Sequence, residues 1–208
     1  MKKELSYEEK SLVNIMNHLE SMAVVQAERI LTRLYDTSKG QAGYIVKHLC
    51  DIELLKMTPD HKYIYRVGMK KDMGRIMDQK AIAAIAVALD MITRVEDISF
   101  AQRTDTASST DISFTADGKL YKTLTLNTET MYRLYSYQEQ VLKEAKQVDK
   151  KYPEVLFTTI LIFHSSDTED EMFDALDGMD IKIPHILIRF KSNDYCDNPQ
   201  YDRYDMEA

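Results

Sequence analysis

Apolar positions along the first fifty residues recur at helical spacing. Leu12, Ile15, Met16 and Leu19 follow Ser6 and Glu9, a Ser-x-x-Glu pair of the kind that caps a helix by reciprocal hydrogen bonds. Val24, Ala27, Ile30, Leu31 and Leu34 trace a second amphipathic helix within "AVVQAERILTRLYD". After the turn "DTSKGQ", Ala42, Ile45, Val46 and Leu49 predict a third helix from about Lys39 to Asp51, with Ser38 as its cap. The period then changes. "ELLKM" and "KYIYRV" are short runs of β-formers on either side of Pro59-Asp60, where proline fixes φ and the aspartate bonds its own backbone. They predict a hairpin.

Beyond residue 68 the pattern changes twice. "MKKDMGRIMDQ" is polar and reads as a linker. "DQKAIAAIAVALDMITRV" is a helix apolar almost all round, which predicts burial in a core or at a dimer contact. "EDISFAQR", "TDISFTAD" and "KLYKTLTLN" alternate apolar and polar residues as half-buried strands do, and Asp117-Gly118 is a hairpin turn. A long amphipathic helix follows from Thr128, with Met131, Leu134, Tyr135, Gln138, Val141, Leu142 and Ala145 near one side. "EVLFTTILIF" is a continuous apolar strand, of the type covered on both faces. "SDTEDEMFDALDGM" is an acidic-capped helix, since Ser166 and Asp167 with Glu169 and Asp170 suit a helix N-terminus, and "IPHILIRFK" is a further strand. The predicted fold class is α+β. Residues 1–70 form three helices and a hairpin, 71–78 a linker, and 79–191 an α/β domain of order α-β-β-β-α-β-α-β. The acidic tail, 192–208, has no periodic face and is expected to be disordered; docking of its tyrosines and acids on the front module of the same or a partner chain is the alternative.

Charge sharpens this division. The formal net charge is −7, but residues 1–80 carry 14 basic and 11 acidic side chains, and residues 81–208 carry 13 and 23. A mildly basic front and a strongly acidic back point to modules with different partners. The N-terminus shows no signal-peptide pattern and no apolar run reaches membrane-spanning length, so the expected location is the cytoplasm, with no membrane association. Cys50 and Cys196 are the only cysteines and the five histidines are scattered. Neither a disulfide framework nor a metal site is expected, and no cofactor.

The third helix and hairpin carry the candidate chemistry. If one face of the helix is buried, the other presents Lys39, Gln41, Tyr44, Lys47 and His48. Lysine and glutamine can bond phosphates and base edges. The hairpin adds Lys56, His61, Lys62 and Arg66 beside it. The stretch "SKGQAGYIVKHLCDIELLKMTPDHKYIYRV" resembles the third helix and wing of winged helix-turn-helix DNA-binding domains. That resemblance implies a helix set in the major groove and a wing on the flanking phosphates of double-stranded DNA.

The element order of the back half is similar to restriction-endonuclease-like folds. In active members an acid on the second strand and an acidic-x-Lys pattern on the third hold a divalent metal that activates water. Asp111 stands at the first position, but "LYKTLTLN" has no carboxylate, and Asn127 sits where an acid would be. The resemblance therefore implies a nuclease-like fold without nuclease activity and without a metal. The whole arrangement resembles the replication-relaxation family of plasmid and conjugative-element proteins. In that family an Glu-x-Asp-Arg-Gly-Thr segment follows the third strand; here the stretch is Thr125-Leu126-Asn127-Thr128-Glu129-Thr130, keeping only the final Thr.

The expected function is a non-enzymatic DNA-binding protein, a regulator or a replication or mobilisation accessory factor of a mobile element. The front module contacts duplex, dimerisation being one way to double the basic surface, and the acidic half serves assembly. The alternatives are a metal-dependent nuclease built on Asp111 with Asp105, Asp117 or Glu129, and a protein-interaction module without nucleic-acid binding.

Overall fold

The computed structural model of the chain describes residues 4–19, 21–68, 78–93, 112–149 and 157–206. Among the described residues the fold is α+β, with six α-helices and two β-sheets.

Helix α1 (Tyr7–Leu19) opens on the capping box expected from sequence. The Ser6 N–H donates to Glu9 Oε2 at 2.7 Å and the Glu9 N–H to Ser6 Oγ at 3.2 Å. Strand β1 (Ser21–Ala23), helices α2 (Val24–Leu34) and α3 (Lys39–Asp51), and strands β2 (Leu55–Met57) and β3 (Tyr63–Arg66) complete the front module. Ser38 caps α3, its Oγ accepting from the Gln41 N–H. The apolar stripes predicted for the three helices are buried together. Gly43 lets α2 and α3 approach closely: a Cβ there would stand 3.2 Å from Glu28 Oε1.

Strand β1 was not visible as a strand in the sequence. It pairs antiparallel with β3, in the register Met22↔Ile64, and the hairpin strand β2 lies on the other side of β3, giving the order β1–β3–β2. Met22, Leu55 and Ile64 line one face of this small sheet and are buried. The opposite face, with Ala23, Tyr63 and Tyr65, is buried too.

Much of that second cover comes from α4 (Gln79–Met91), which contacts β1 and α2. Every residue from Ala81 to Leu89 is buried. The all-round apolar pattern is explained by position: α4 has the front module on one side and the large sheet on the other, and all three contribute to one continuous core. Polar contacts seal the joint. Gln26 Nε2 donates to the Ile82 carbonyl at 2.8 Å, Arg33 to the Leu89 carbonyl at 2.6 Å, and Tyr201 Oη to Asp90 Oδ2 at 2.8 Å. Arg29 also pairs with Asp90.

The large sheet has the order β4–β5–β6–β7–β8. Strand β4 (Ser113–Ala116) is antiparallel to β5 (Lys119–Leu126). Asp117 and Gly118, at φ 49° and 74°, turn between them as the two left-handed central residues of a tight hairpin. Strands β5, β6 (Phe157–Phe163) and β7 (His185–Phe190) run parallel, and β8 (Tyr201–Met206) is antiparallel to β7. The crossovers are α5 (Arg133–Asp149) and α6 (Glu169–Leu176). Leu124, Leu126, Leu161, Phe163 and Leu187 pack with these two helices, while Ile160, Ile162, Ile186, Ile188 and Phe190 belong to the core that includes α4. Both faces of the parallel strands are covered, as continuous apolar runs require.

Several expectations change. The segment from 192 onward is not disordered over its length: Tyr201–Met206 forms β8, because its backbone completes the exposed edge of β7 in the register Phe190↔Tyr201. The long helix begins at Arg133, after a 3-10 turn at Thr128–Thr130, and buries Tyr137 rather than Tyr135, which is 50% exposed. Helix α6 is capped by Thr168, not by Ser166 or Asp167; the Glu171 N–H donates to Thr168 Oγ1 and the Thr168 N–H to Glu171 Oε2. The strand expected at 96–103, residues 71–77 of the linker, Asp105 and Asp111 lie outside the described residues.

Candidate nucleic-acid interface

Helix α3 buries Ala42, Ile45, Val46 and Leu49, so the helical period turns positions 40, 41, 44, 47 and 48 away from the core. Lys39, Gln41, Tyr44 and Lys47 are exposed, Tyr44 by 60%. His48 is only half free. Its ring stacks on Tyr44 at an interplanar angle of 4°, and its Nδ1 lies 2.6 Å from Glu9 Oε1. The carboxylate that caps α1 thus also fixes the rotamer of His48, and the histidine presents one edge, not two. The described outward side of α3 carries Gln41, Tyr44 and Lys47, with the exposed carboxylate of Asp51 one turn beyond Lys47.

The hairpin places its cations less uniformly. Lys56 is exposed on β2 opposite Tyr65. Lys62 and His61 are exposed in the tip, where His61 Nδ1 approaches Met57 Sδ at 3.1 Å. Arg66 faces Leu55 across the ladder, on the other face from Lys56, and is half-buried with its Nε enclosed and unpartnered among the described residues. The tip also holds a carboxylate. Asp60 Oδ1 accepts from Thr58 Oγ1 at 2.6 Å and from the Lys62 N–H at 3.1 Å, and these bonds hold its carboxyl below its ordinary pKa. Lys56 and Lys62 are therefore the hairpin's freely exposed lysines, and Arg66 does not join them on one surface.

A loop from the far end of the chain reaches this region. Two clefts of about 420 and 310 Å³ share Val25, Cys196 and Asp197 as walls. The first also meets Glu28, Thr32, Thr37 and Lys39; the second meets His61, Lys62 and Tyr63. Docking of this segment on the front module was the alternative to disorder in the sequence, but nothing local in "SNDYCDNPQ" encodes which residues, about 130 to 170 positions earlier, it meets. Burial, with Asp194 and Asp197 close by, pushes the Cys196 thiol up to about 11, so it stands there protonated.

The remaining nuclease candidates do not converge. Asp117 precedes β5 and Glu129 follows it, so the two lie beyond opposite ends of a strand about 23 Å long. Asn127 serves as a cap: its Oδ1 accepts the Thr130 N–H at 2.9 Å, and the Asn127 N–H donates to Thr130 Oγ1 at 2.9 Å. Thr130 thus closes a turn. Among the described residues no group of three or more His, Cys, Asp or Glu side chains is arranged to hold a metal ion, and no helix is long and apolar enough to cross a membrane. No protein-family model matches the chain, and no curated protein is found similar to it.

Proposed function

We propose that the chain is a non-enzymatic protein that binds double-stranded DNA through its front module, read as a winged helix. The observation that carries this is the exposed strip Lys39, Gln41, Tyr44 and Lys47 on α3, next in the chain to a hairpin whose Lys56 and Lys62 are exposed. A helix held by one face, with amide and ammonium groups on the other, has the shape and chemistry for a major groove. The hairpin lysines would lie on phosphates. The order β1–β3–β2 supports the reading, because the third strand anchors the hairpin to the helices. The acidic back half, repelled by phosphate, would face away from the duplex and serve assembly or a protein partner. Its α-β-β-α-β-α-β-β order supports a nuclease-like fold that has lost its chemistry. The resemblance in element order supplies the setting: a regulator, or an accessory factor in replication or mobilisation of a mobile element.

Fluorescence anisotropy with a random-sequence duplex across a salt series tests this. Lys47→Ala with Lys62→Ala weakens binding and lowers the slope of log affinity against log salt by about one unit per lysine. Neither side chain is buried, so the fold persists. An unchanged slope in a well-folded double variant overturns the reading.

A further inference from the structure

Residues 192–200 leave the large sheet after β7 and return to it at β8, and between those points Cys196 and Asp197 line clefts with front-module residues. Tyr195 anchors them. Its buried ring packs edge-on against Phe190 at 4.8 Å, and its hydroxyl bonds His164 Nδ1 at 2.5 Å and Asn193 Oδ1 at 3.1 Å. Beyond the anchor, Asp194 Oδ1 accepts from the N–H groups of Cys196 at 3.2 Å and Asp197 at 3.0 Å. This tight turn leaves the Asp197 side chain exposed.

Asp197 occupies a telling position. It lines one cleft with Lys39, at the start of α3, and the other with His61 and Lys62, at the hairpin tip. Asp197 thus lines clefts that reach both elements of the proposed duplex-binding face, the first of them walled also by Glu28 and Arg29 of α2. Among the described residues it makes no ion pair with either lysine. Tyr195 and Cys196 pack with the core shared by the front module, and the two clefts lie beside that contact.

We propose that residues 192–200 form an acidic strap that regulates access to the duplex-binding face. The inference rests on the reading of that face given above. The strap puts a carboxylate where a phosphate strand passing from α3 to the hairpin would run, so strap and duplex compete for the same cations. Its hold is local. Tyr195 and Cys196 are the residues pressed into the protein, and much of the rest is exposed. Lifting it opens the two clefts without unpairing β7 and β8, a small opening of the kind that folded proteins sample well below global unfolding.

The test compares three proteins in the anisotropy assay at low salt: wild type, Asp194→Asn/Asp197→Asn, and Asp170→Asn/Asp180→Asn. Asparagine keeps the side-chain carbonyl that accepts the two turn N–H groups. The second pair removes the same charge from exposed sites on α6 and the loop after it. Asp197→Asn alone is the reserve, since no side-chain hydrogen bond of Asp197 is lost among the described residues. The strap variant tightens duplex binding by about fivefold per carboxylate that faced a phosphate, and the control changes it by less than about twofold. Equal tightening in both variants overturns the strap, leaving a plain net-charge effect. A wild type that binds and a strap variant that binds no tighter overturns the strap alone. No binding by any of the three overturns the DNA-binding reading, and the strap with it.

Discussion

At the scale of single residues, the fold turns on polar side chains that tie distant segments together. Glu9 caps α1 through one oxygen and holds His48 of α3 through the other. Asp90 receives Arg29 from α2 and Tyr201 from β8, with Arg33 Nη1 3.6 Å away, and burial together with the Asp90 contact raises the Tyr201 pKa. The capping role of Glu9 was legible from its three-residue spacing to Ser6; its second partner, 39 residues away, was not. His164 gives a measurable consequence. Burial lowers its pKa from the ordinary value of 6.5, only partly opposed by Asp167. The unfolded chain therefore takes up the proton first as pH falls, and stability present above about pH 6.5 is lost below it. Urea midpoints measured from pH 8 to pH 5 should fall on the acid side, and His164→Gln should flatten that part of the curve.

At the scale of elements, pattern strength decided what could be read. The three front helices, the Pro59-Asp60 turn and the Asp117-Gly118 hairpin each carried a local signal, and each is where the sequence put it. Strand β1 has three residues and no alternation; it is a strand because β3 offers a free edge beside it. The end of the chain misled for another reason. Its acidic composition read as a tail, although Tyr201, Arg203 and Asp205 alternate with Asp202, Tyr204 and Met206. Pairing with β7 and packing of Tyr204 on Phe173 at 5.3 Å make it a strand, and its charges, with Lys191 bridged to Asp202 at 2.6 Å, suit an exposed edge. Helix α4 is the reverse case, its burial foreseen but not its two-sided packing. Ala84 is fully buried where small side chains let α4 approach its neighbours. Ala84→Leu should overpack that contact and cost about 1–3 kcal/mol, read as a lowered urea midpoint with an unchanged slope.

At the scale of the whole molecule, the described parts of front module, α4 and large sheet share one core, joined by Gln26, Arg29, Arg33 and Tyr201 across α4. Shared burial couples their stabilities. Far-ultraviolet circular dichroism and tyrosine fluorescence should therefore report one coincident urea transition; two separated transitions would show that the modules unfold independently. The same union brings a carboxylate loop from the acidic half beside the lysines of the basic half, so the charge division read along the chain is not a division in space.

The sequence by itself determined the local periods: which residues are helical, which face of each helix is apolar, where the tight turns fall, and that α4 is buried. Those properties depend on neighbours within a few positions, and the side-chain pattern states them directly. Only the tertiary structure decided that β1 and β8 are strands, that Arg66 is half-withdrawn, that His48 is committed to Glu9, and that Asp197 lines one cleft with Lys39 and another with Lys62. Each of these depends on partners 11 to more than a hundred residues away, brought close by the burial of apolar surface, and no local pattern encodes that distance.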